Sequence, residues 1–382
     1  MRIDKFAYED LETGWKLEET GFDGLNLLVG VSGVGKTRII EALRTVVLVA
    51  GGFDDVPRAR WMIDFDSDGT GYRWTAETAD GANGHRGQRV FVRERVTRSG
   101  NALVERSEGG FTFNDRPLPK LNPTESAIVL LGGEDAFEPI EHALDHVIFS
   151  LFSGAHHDPA RHFEFTGEGD ELLDEMLRWS QEGAALGGRF ESDAGSDPHR
   201  EAAQQNVFVL HLFLMQEAYS EQFASIRERF CDVFPSVDDV RVVREATRDR
   251  LTVEIHETSG PWVPQSRISS GMLKTLVYLC ELDTAPSGSV IVIDEFEASL
   301  GLNCLPAMTD ALLDRSDCQF IVTSHHPYVI NNIPIEHWKL VERKGSAVRL
   351  VSAREIPALA SASHHEAFLR LINLDRYAHG IR

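Results

Sequence analysis

The chain has 382 residues, of which 42% are hydrophobic and 26% are charged, a composition typical of folded globular proteins and not of disordered or fibrous ones. Its 60 acidic and 38 basic residues give a formal net charge of -22, which disfavours non-specific binding of the whole molecule to nucleic acid or to an anionic membrane. The longest apolar stretches are too short to span a membrane, and the 4 cysteines form no C-x-x-C pair. The composition therefore predicts a cytoplasmic protein with reduced thiols and no membrane partner.

The strongest motif is GVSGVGKT at residues 30–37, which fits the phosphate-binding pattern G-x-x-x-x-G-K-[ST]. Residues 25–29 before it are apolar and predict a strand, and residues 38–43 after it predict a helix. Glycines let the backbone wrap a phosphate, which also lies at the positive end of the helix. The motif predicts a bound nucleoside triphosphate with Mg²⁺. Its predicted ligands are Gly30, Ser32, Gly33, Gly35, Lys36 and Thr37, with Lys36 on the β/γ-phosphates and Thr37 on Mg²⁺.

Residues 60–115 alternate apolar and polar positions between glycine turns, which predicts an antiparallel sheet inserted after the first strand–helix unit. Strict alternation would put Arg89, Arg93 and Arg95 on one face. That face is either a contact surface for nucleic acid or an acidic partner, or a solvated face paired with carboxylates, and the second interpretation is favoured.

Residues 121–152 predict a pair of helices, the second over residues 140–152. Residues 153–203 predict an irregular excursion with one helix at residues 170–182, and residues 201–234 predict one long amphipathic helix. We therefore expect a helical insertion over residues 153–235. Its histidine-rich stretch at residues 156–162 contains residue types that can bind a metal ion, but in a polar loop such residues more often bind none.

Buried parallel strands follow the insertion, and two of them end in residues suited to catalysis. Residues 290–293 are apolar and lead into Asp294 and Glu295, which suit a Mg²⁺ contact and a general base on the attacking water, respectively. The strand at residues 319–323 ends just before His325, which can hydrogen-bond a γ-phosphate.

The sequence ISSGM at residues 268–272 opens a further predicted helix. Ser269, Ser270 and Gly271 offer hydroxyl and backbone N–H groups to an anion. The alternative is an ordinary serine N-cap, which the turn by itself favours.

Taken together, the phosphate loop, the ISSGM turn, the VIVIDE strand, the segment at residues 297–301 and the TSHHP strand end resemble the ABC-type ATPase heads of the RecF, SMC and overcoming-lysogenization-defect class. ISSGM is similar to that class's LSGGQ signature, with Ser270 in place of its first glycine, and His325 matches its switch histidine. The resemblance implies two ATP molecules sandwiched between two copies of the chain, each signature turn closing the partner's site. A Q-loop glutamine is the missing element, since Gln88 is a poor candidate.

The resemblance implies an α/β fold of the P-loop NTPase, ABC-ATPase type, with a mainly parallel sheet core, an antiparallel β subdomain and a helical insertion. The predicted domains are residues 1–152 and 236–382 as the two halves of the head, with 153–235 inserted between them. The chain after Pro327 lacks a cluster of acidic metal ligands, so we expect no fused nuclease.

Small ATPases of this class without a fused effector resemble the regulators of bacterial anti-phage systems, AAA family ATP-binding proteins that control a separate nuclease or toxin. The expected function is therefore an ATP-hydrolysing switch that dimerises or oligomerises around ATP and acts on such an effector. One alternative is a RecF-like DNA-binding ATPase in repair, with DNA a less favoured partner. The other is a scaffold that binds ATP and barely hydrolyses it.

Overall fold

The computed structural model describes residues 1–81, 87–107, 109–119, 121–150, 163–164, 207–245, 250–360, 364–374 and 377. The chain forms two compact units that interleave along the sequence. The first unit comprises Met1–Phe149, Ser287–Phe296 and Ser316–Arg382, and the second comprises Ser150–Pro286 and Glu297–Arg315. These units divide the chain differently from the domain boundaries predicted at residues 152 and 235, because residues 236–286 belong to the second unit.

The first unit is built on a 14-stranded sheet. Its strands are β1 (Arg2–Asp10), β2 (Lys16–Gly21), β3 (Leu25–Val29), β4 (Ala59–Ser67), β5 (Thr70–Asp80), β6 (Arg89–Arg98), β7 (Asn101–Ser107), β8 (Gly110–Phe113), β9 (Arg116–Leu118), β10 (Val147–Phe149), β15 (Val290–Ile293), β16 (Gln319–Thr323), β17 (Trp338–Lys344) and β18 (Ala347–Ser352). Their order across the sheet is β10-β15-β16-β3-β17-β18-β2-β1-β4-β5-β6-β7-β8-β9.

The five strands from β10 to β17 in this order are parallel to one another, whereas β17 pairs antiparallel with β18. Every residue of β3, β15 and β16 is buried, as expected of the central strands of a parallel sheet. The one polar side chain within β3, Asn26, is satisfied because its amide donates to the carbonyl oxygens of Asp23 and Phe320. The predicted parallel core is confirmed.

The antiparallel strands β4 to β9 extend this same sheet. Strand β1 pairs with both β2 and β4, so the hydrogen-bonded ladder runs from the parallel core into the antiparallel part without a gap. The fold class is thus α/β, with a large mixed sheet.

The helices of the first unit are α1 (Lys36–Gly51), α2 (Ala127–Leu130), α3 (Glu138–Asp145), α8 (Pro327–Asn332), α9 (Pro357–Ala360) and α10 (His364–Ile372). One face of α1 is buried in the same apolar core as β1, β4 and β5, through side chains such as Ile39, Leu43 and Val46. The helix predicted over residues 140–152 is wrong in its second half, because α3 ends at Asp145 and Val147–Phe149 is a strand. These apolar residues pair in register with β15, so a strand buries them better than another helical turn.

The second unit contains a 4-stranded sheet and four described helices. These are β11 (Phe163–Glu164), β12 (Val237–Glu245), β13 (Arg250–Glu257), β14 (Trp262–Pro264), α4 (Val207–Ala218), α5 (Ser220–Val233), α6 (Ser270–Thr284) and α7 (Leu305–Asp314). The single helix predicted over residues 201–234 is wrong within the described part, since the backbone leaves the helical region at Tyr219, with φ -131 and ψ 58. The two helices also differ in composition. Most side chains of α4 are apolar, whereas α5 is amphipathic and buries Phe223, Ile226 and Phe230 on one face.

Two predictions fall on residues that the structure does not describe, the helix at residues 170–182 and the histidine-rich stretch at residues 156–162. Within the described ranges, the structure has no cluster of histidine, cysteine and acidic side chains able to hold a metal ion. No helix in those ranges has the length and apolar character needed to cross a membrane.

Candidate nucleotide-binding site

The predicted phosphate loop joins β3 to α1 in the first unit. Gly33 and Gly35 have φ values of +79 and +116, a left-handed backbone that side chains other than glycine rarely adopt. Gly35 is the N-cap of α1, so no side chain occupies the cap, and the first turn of the helix carries no acidic residue. The N–H groups at this helix end therefore face the loop without a competing carboxylate, as phosphate binding requires.

The loop is seated on the hairpin of β17 and β18. A Cβ atom at Gly30 would lie 3.2 Å from the carbonyl oxygen of Val341, and one at Gly35 would lie 3.5 Å from Val348. Ser32 and Gly33 are exposed instead. Close packing on the hairpin therefore requires a glycine at Gly30, whereas at Gly35 the left-handed backbone does, and the exposed middle of the loop is the part open to solvent.

Lys36 is bound to the loop itself. Its Nζ donates to the carbonyl oxygens of Gly30 at 2.6 Å and Val31 at 3.2 Å. Its ammonium group therefore lies across the mouth of the loop, where it can reach the β- and γ-phosphates. Thr37, the next residue, is exposed at the start of α1.

The two carboxylates after β15 have different environments. Asp294 is 4% exposed, whereas Glu295 is exposed and adopts a left-handed backbone with φ 50. Such a conformation costs a non-glycine residue roughly 1–3 kcal/mol and persists only where the surroundings enforce it. The backbone turn keeps Asp294 inside and directs Glu295 outward.

Thr323, the last residue of β16, holds this turn. Its hydroxyl donates to Oδ1 of Asp294 and accepts from the N–H of Glu295 at 2.7 Å. Its carbonyl oxygen accepts from the N–H of Phe296 at 3.0 Å. Thr323 was not among the predicted site residues, although a hydroxyl residue at the end of the neighbouring predicted strand was a usable signal.

The sheet order brings the predicted catalytic residues to one edge. Strand β16 lies between β15 and β3, and all three are parallel. The phosphate loop, His325, Asp294 and Glu295 therefore all follow the carboxyl ends of adjacent strands. His325 is exposed, whereas the neighbouring His326 caps α8 by accepting the N–H of Tyr328 at 3.1 Å. Of the two histidines, His325 is thus the more exposed.

The predicted signature turn lies in the second unit. Ser269 is the N-cap of α6 and accepts the N–H of Met272 at 3.2 Å, which is the N-cap role that the turn by itself favoured. Ser269 and Ser270 are exposed, whereas a Cβ at Gly271 would lie 3.0 Å from the carbonyl oxygen of Ser299. The turn therefore packs tightly on the segment that follows Glu297 while its serine hydroxyls face solvent.

The expectation that Arg89, Arg93 and Arg95 share a face is wrong. Strand β6 has a bulge at Val92, because Glu77 pairs with Arg93 whereas Thr78 pairs with Phe91. The bulge shifts the alternation, so Arg89 lies on the face opposite to Arg93 and Arg95. Arg89 instead pairs with Asp80 and Glu12.

The face that carries Arg93 and Arg95 also carries many carboxylate side chains, which pair with the basic ones. One row of directly paired residues alternates in charge across five strands: Lys16, Glu9, Arg60, Glu77 and Arg93. Arg60 bridges Glu9 and Glu77, each at 3.2 Å, and Arg95 pairs with Glu105 at 3.0 Å. This arrangement matches the solvated, carboxylate-paired interpretation and does not favour DNA binding there.

One protein-family model matches part of the chain. A family described as "AAA domain, putative AbiEii toxin, Type IV TA system" matches residues 167–331, a range that includes the signature turn, Asp294, Glu295 and His325 but not the phosphate loop. A comparison with curated protein sequences gives no match.

Two solved structures of similar fold are SMC heads. The Smc head bound to the C-winged helix domain of ScpA has a TM-score of 0.51 and 14% identity, covering 92% of this chain and 97% of that one. The Smc head domain with an extended coiled coil from Pyrococcus furiosus, bound to the C-terminal domain of ScpA, has a TM-score of 0.48 and 14% identity, covering 93% and 97%. The first of these likenesses shows that the fold is like that of an Smc head.

Proposed function

We propose that this chain is a Mg²⁺-dependent ATPase of the cytoplasm that uses ATP binding and hydrolysis as a switch. The observation that carries the proposal is the convergence of a phosphate loop, a carboxylate pair and a histidine at the carboxyl ends of the adjacent strands β3, β15 and β16. Phosphoryl transfer depends mainly on positioning and charge stabilisation, and these are the groups that supply them.

The residues present fit a nucleotide with Mg²⁺. The uncapped start of α1 and the ammonium group of Lys36 suit the phosphates, and the oxygen donors Thr37 and Asp294 suit Mg²⁺, which prefers hard oxygen ligands. Bound Mg²⁺ would neutralise charge on the phosphate oxygens.

Glu295 is the proposed general base because it is the exposed member of the carboxylate pair and can reach solvent water. Asp294, in contrast, is fixed by Thr323 and almost fully buried. His325 donates or accepts a hydrogen bond at the γ-phosphate side, at the end of the strand between the other two.

The proposed active form contains two or more copies of the chain, with the signature turn of one closing the phosphate loop of another. The exposed hydroxyls of Ser269 and Ser270 support this role, because the N-cap bond and the contact of Gly271 with Ser299 hold them on a rigid helix start.

The proposed output is control of a separate effector, a nuclease or toxin, in bacterial anti-phage defence. The matching family is described as "AAA domain, putative AbiEii toxin, Type IV TA system", and because a toxin–antitoxin system consists of two proteins, this supports action together with a second protein. The Smc head of similar fold is bound to ScpA, so a head of this fold can hold a second protein. The net charge of -22 favours a basic protein partner over nucleic acid.

The experiment measures ATP hydrolysis and oligomeric state for the wild type, Glu295→Gln and Ser269→Arg. The wild type is expected to turn over ATP, Glu295→Gln to trap ATP in a dimer or larger assembly, and Ser269→Arg to bind ATP as a single copy without hydrolysis. A wild-type chain that binds ATP but shows no Mg²⁺-dependent turnover would instead support the scaffold interpretation.

The effector is tested by co-expression with the product of an adjacent reading frame that encodes a nuclease or toxin. Growth or phage resistance is expected to depend on wild-type Glu295 and to be lost in Glu295→Gln at equal protein levels. Equal phenotypes for the two would contradict regulation by ATP hydrolysis.

A further inference from the structure

The side chain of Thr323 contacts both of the proposed catalytic residues, Asp294 and Glu295. It is completely buried, and its hydroxyl group bonds to Oδ1 of Asp294 and to the N–H of Glu295, while its carbonyl oxygen bonds to the N–H of Phe296. Three consecutive residues after β15 are therefore tied to a single residue of β16.

The direction of these bonds follows from the chemistry of a hydroxyl. A hydroxyl has one hydrogen, which Thr323 donates to the carboxylate of Asp294, and its lone pairs remain to accept the N–H of Glu295. The first bond fixes the rotation of the Asp294 carboxylate. The second, with the Phe296 bond, holds the backbone that lets Glu295 adopt φ 50.

The consequence is a division of roles between adjacent acidic residues. In a regular strand, Asp294 and Glu295 would point to opposite faces of the sheet. The left-handed turn instead places them at the strand end, with Asp294 at 4% exposure and Glu295 open to solvent. A buried hydroxyl that bonds both residues is the contact that keeps this difference.

We propose that Thr323 is a positioning residue that orients Asp294 for the Mg²⁺–nucleotide complex and holds Glu295 in its outward conformation. This inference rests on the proposed ATPase function and assigns a residue that acts through Asp294 and Glu295, not on the phosphates themselves. It predicts that ATP hydrolysis and the Mg²⁺ response depend on the hydroxyl group of Thr323 and not on the shape of its side chain.

The test compares Thr323→Val, which keeps the shape and removes the hydroxyl, with Thr323→Ser, which keeps the hydroxyl and removes the methyl group. Thr323→Val is expected to lower kcat by about tenfold or more, as for loss of a buried hydrogen bond to a charged group, and to raise KM for Mg²⁺–ATP by up to about tenfold because Asp294 is no longer held in orientation. Thr323→Ser is expected to stay within about threefold of wild type in both.

A second readout does not depend on turnover. Affinity for a fluorescent ATP analogue is measured with Mg²⁺ and with EDTA. In Thr323→Val the gain in affinity on adding Mg²⁺ is expected to shrink by about tenfold, while the affinity in EDTA is unchanged. In an Asp294→Asn background the same valine substitution should have almost no further effect, because the two residues act as one unit.

Three results would overturn the inference: a Thr323→Val chain with wild-type turnover and Mg²⁺ response, a serine variant as impaired as the valine variant, or full additivity with Asp294→Asn. A wild type that binds no ATP would overturn the proposed function and this inference with it, whereas an active wild type with an unaffected valine variant would overturn only the inference. Circular dichroism checks folding, and Thr323→Ala replaces the valine variant if that chain does not fold.

Discussion

The Nζ atom of Lys36 donates to the carbonyl oxygen of Gly30 at 2.6 Å, so the lysine closes the phosphate loop on itself. This contact spans the whole loop, from the end of β3 to the first residue of α1. The contact holds the two ends of the loop together and places the positive charge where phosphates would enter the proposed site. Preorganisation of this kind reduces the cost of ordering the loop on binding.

Lys36→Ala is expected to abolish measurable ATP binding, because it removes both the charge for the phosphates and the tie to Gly30. Isothermal calorimetry with ATP and Mg²⁺ measures the loss. Lys5→Ala is the matched control: Lys5 is exposed on β1, where it pairs with Glu19 at 2.7 Å. Wild-type affinity in Lys36→Ala, or equal loss in both variants, would contradict the assignment of the loop.

Gly271→Ala is expected to impair ATP hydrolysis while leaving ATP binding intact. The added methyl group would lie 3.0 Å from the carbonyl oxygen of Ser299, a backbone atom, so either the signature turn or the segment after Glu297 must move. The cost in stability is expected to be about 1–3 kcal/mol.

Gly24→Ala is the control for this substitution, because a Cβ at Gly24 meets nothing within 4 Å. Steady-state hydrolysis and denaturant unfolding of both variants are compared. If Gly271→Ala hydrolyses ATP as fast as Gly24→Ala does, the close packing of the turn is not needed for activity.

The buried carboxyl of Glu94 predicts a pH dependence of stability. Burial raises its pKa from 4.5 to about 7 despite the opposing charge of Arg106. Because the folded state binds this proton more tightly than the unfolded state does, the contribution of Glu94 to stability is fully present below about pH 4.5 and is lost as pH rises through about 7.

Glu94→Gln removes the titration while an amide oxygen can still accept from the N–H groups of Trp74 and Ala127. Between about pH 5 and about pH 8, the wild type is expected to lose on the order of 2 kcal/mol more unfolding free energy than this variant. Urea unfolding at both pH values measures the difference. Parallel pH profiles for the two chains would show that Glu94 titrates normally.

Replacing Arg93 and Arg95 together with alanine is expected to leave duplex DNA binding unchanged and weak. Both lie on a face where rows of carboxylates alternate with the cations, so the patch has little net positive charge to exchange for counterions. Binding is measured with ATP at several salt concentrations. The control pair Arg2→Ala and Arg116→Ala removes equal charge elsewhere. A steep salt dependence lost only in the Arg93 and Arg95 variant would restore the RecF-like alternative.

The sequence alone determined the parts of this protein whose signals are local. The glycine-rich loop between a strand and a helix, the apolar strands that precede Asp294 and His325, and the serine turn at Ser269 were all predictable, because each depends on residue types at fixed spacing next to a strand or helix. Continuous apolar runs also predicted the parallel core correctly, since strands covered on both faces need no polar positions.

Contacts between distant segments were decided only by the tertiary structure. Val147–Phe149 became a strand because it pairs with β15, and a single bulge at Val92 moved Arg89 to the opposite face. Thr323 acquired its role from its register beside Asp294, 29 positions earlier in the chain. Pairing register and bulges depend on which strands meet, and no local pattern encodes that choice, so the contacts that hold Asp294 and Glu295 in place emerge only from the folded sheet.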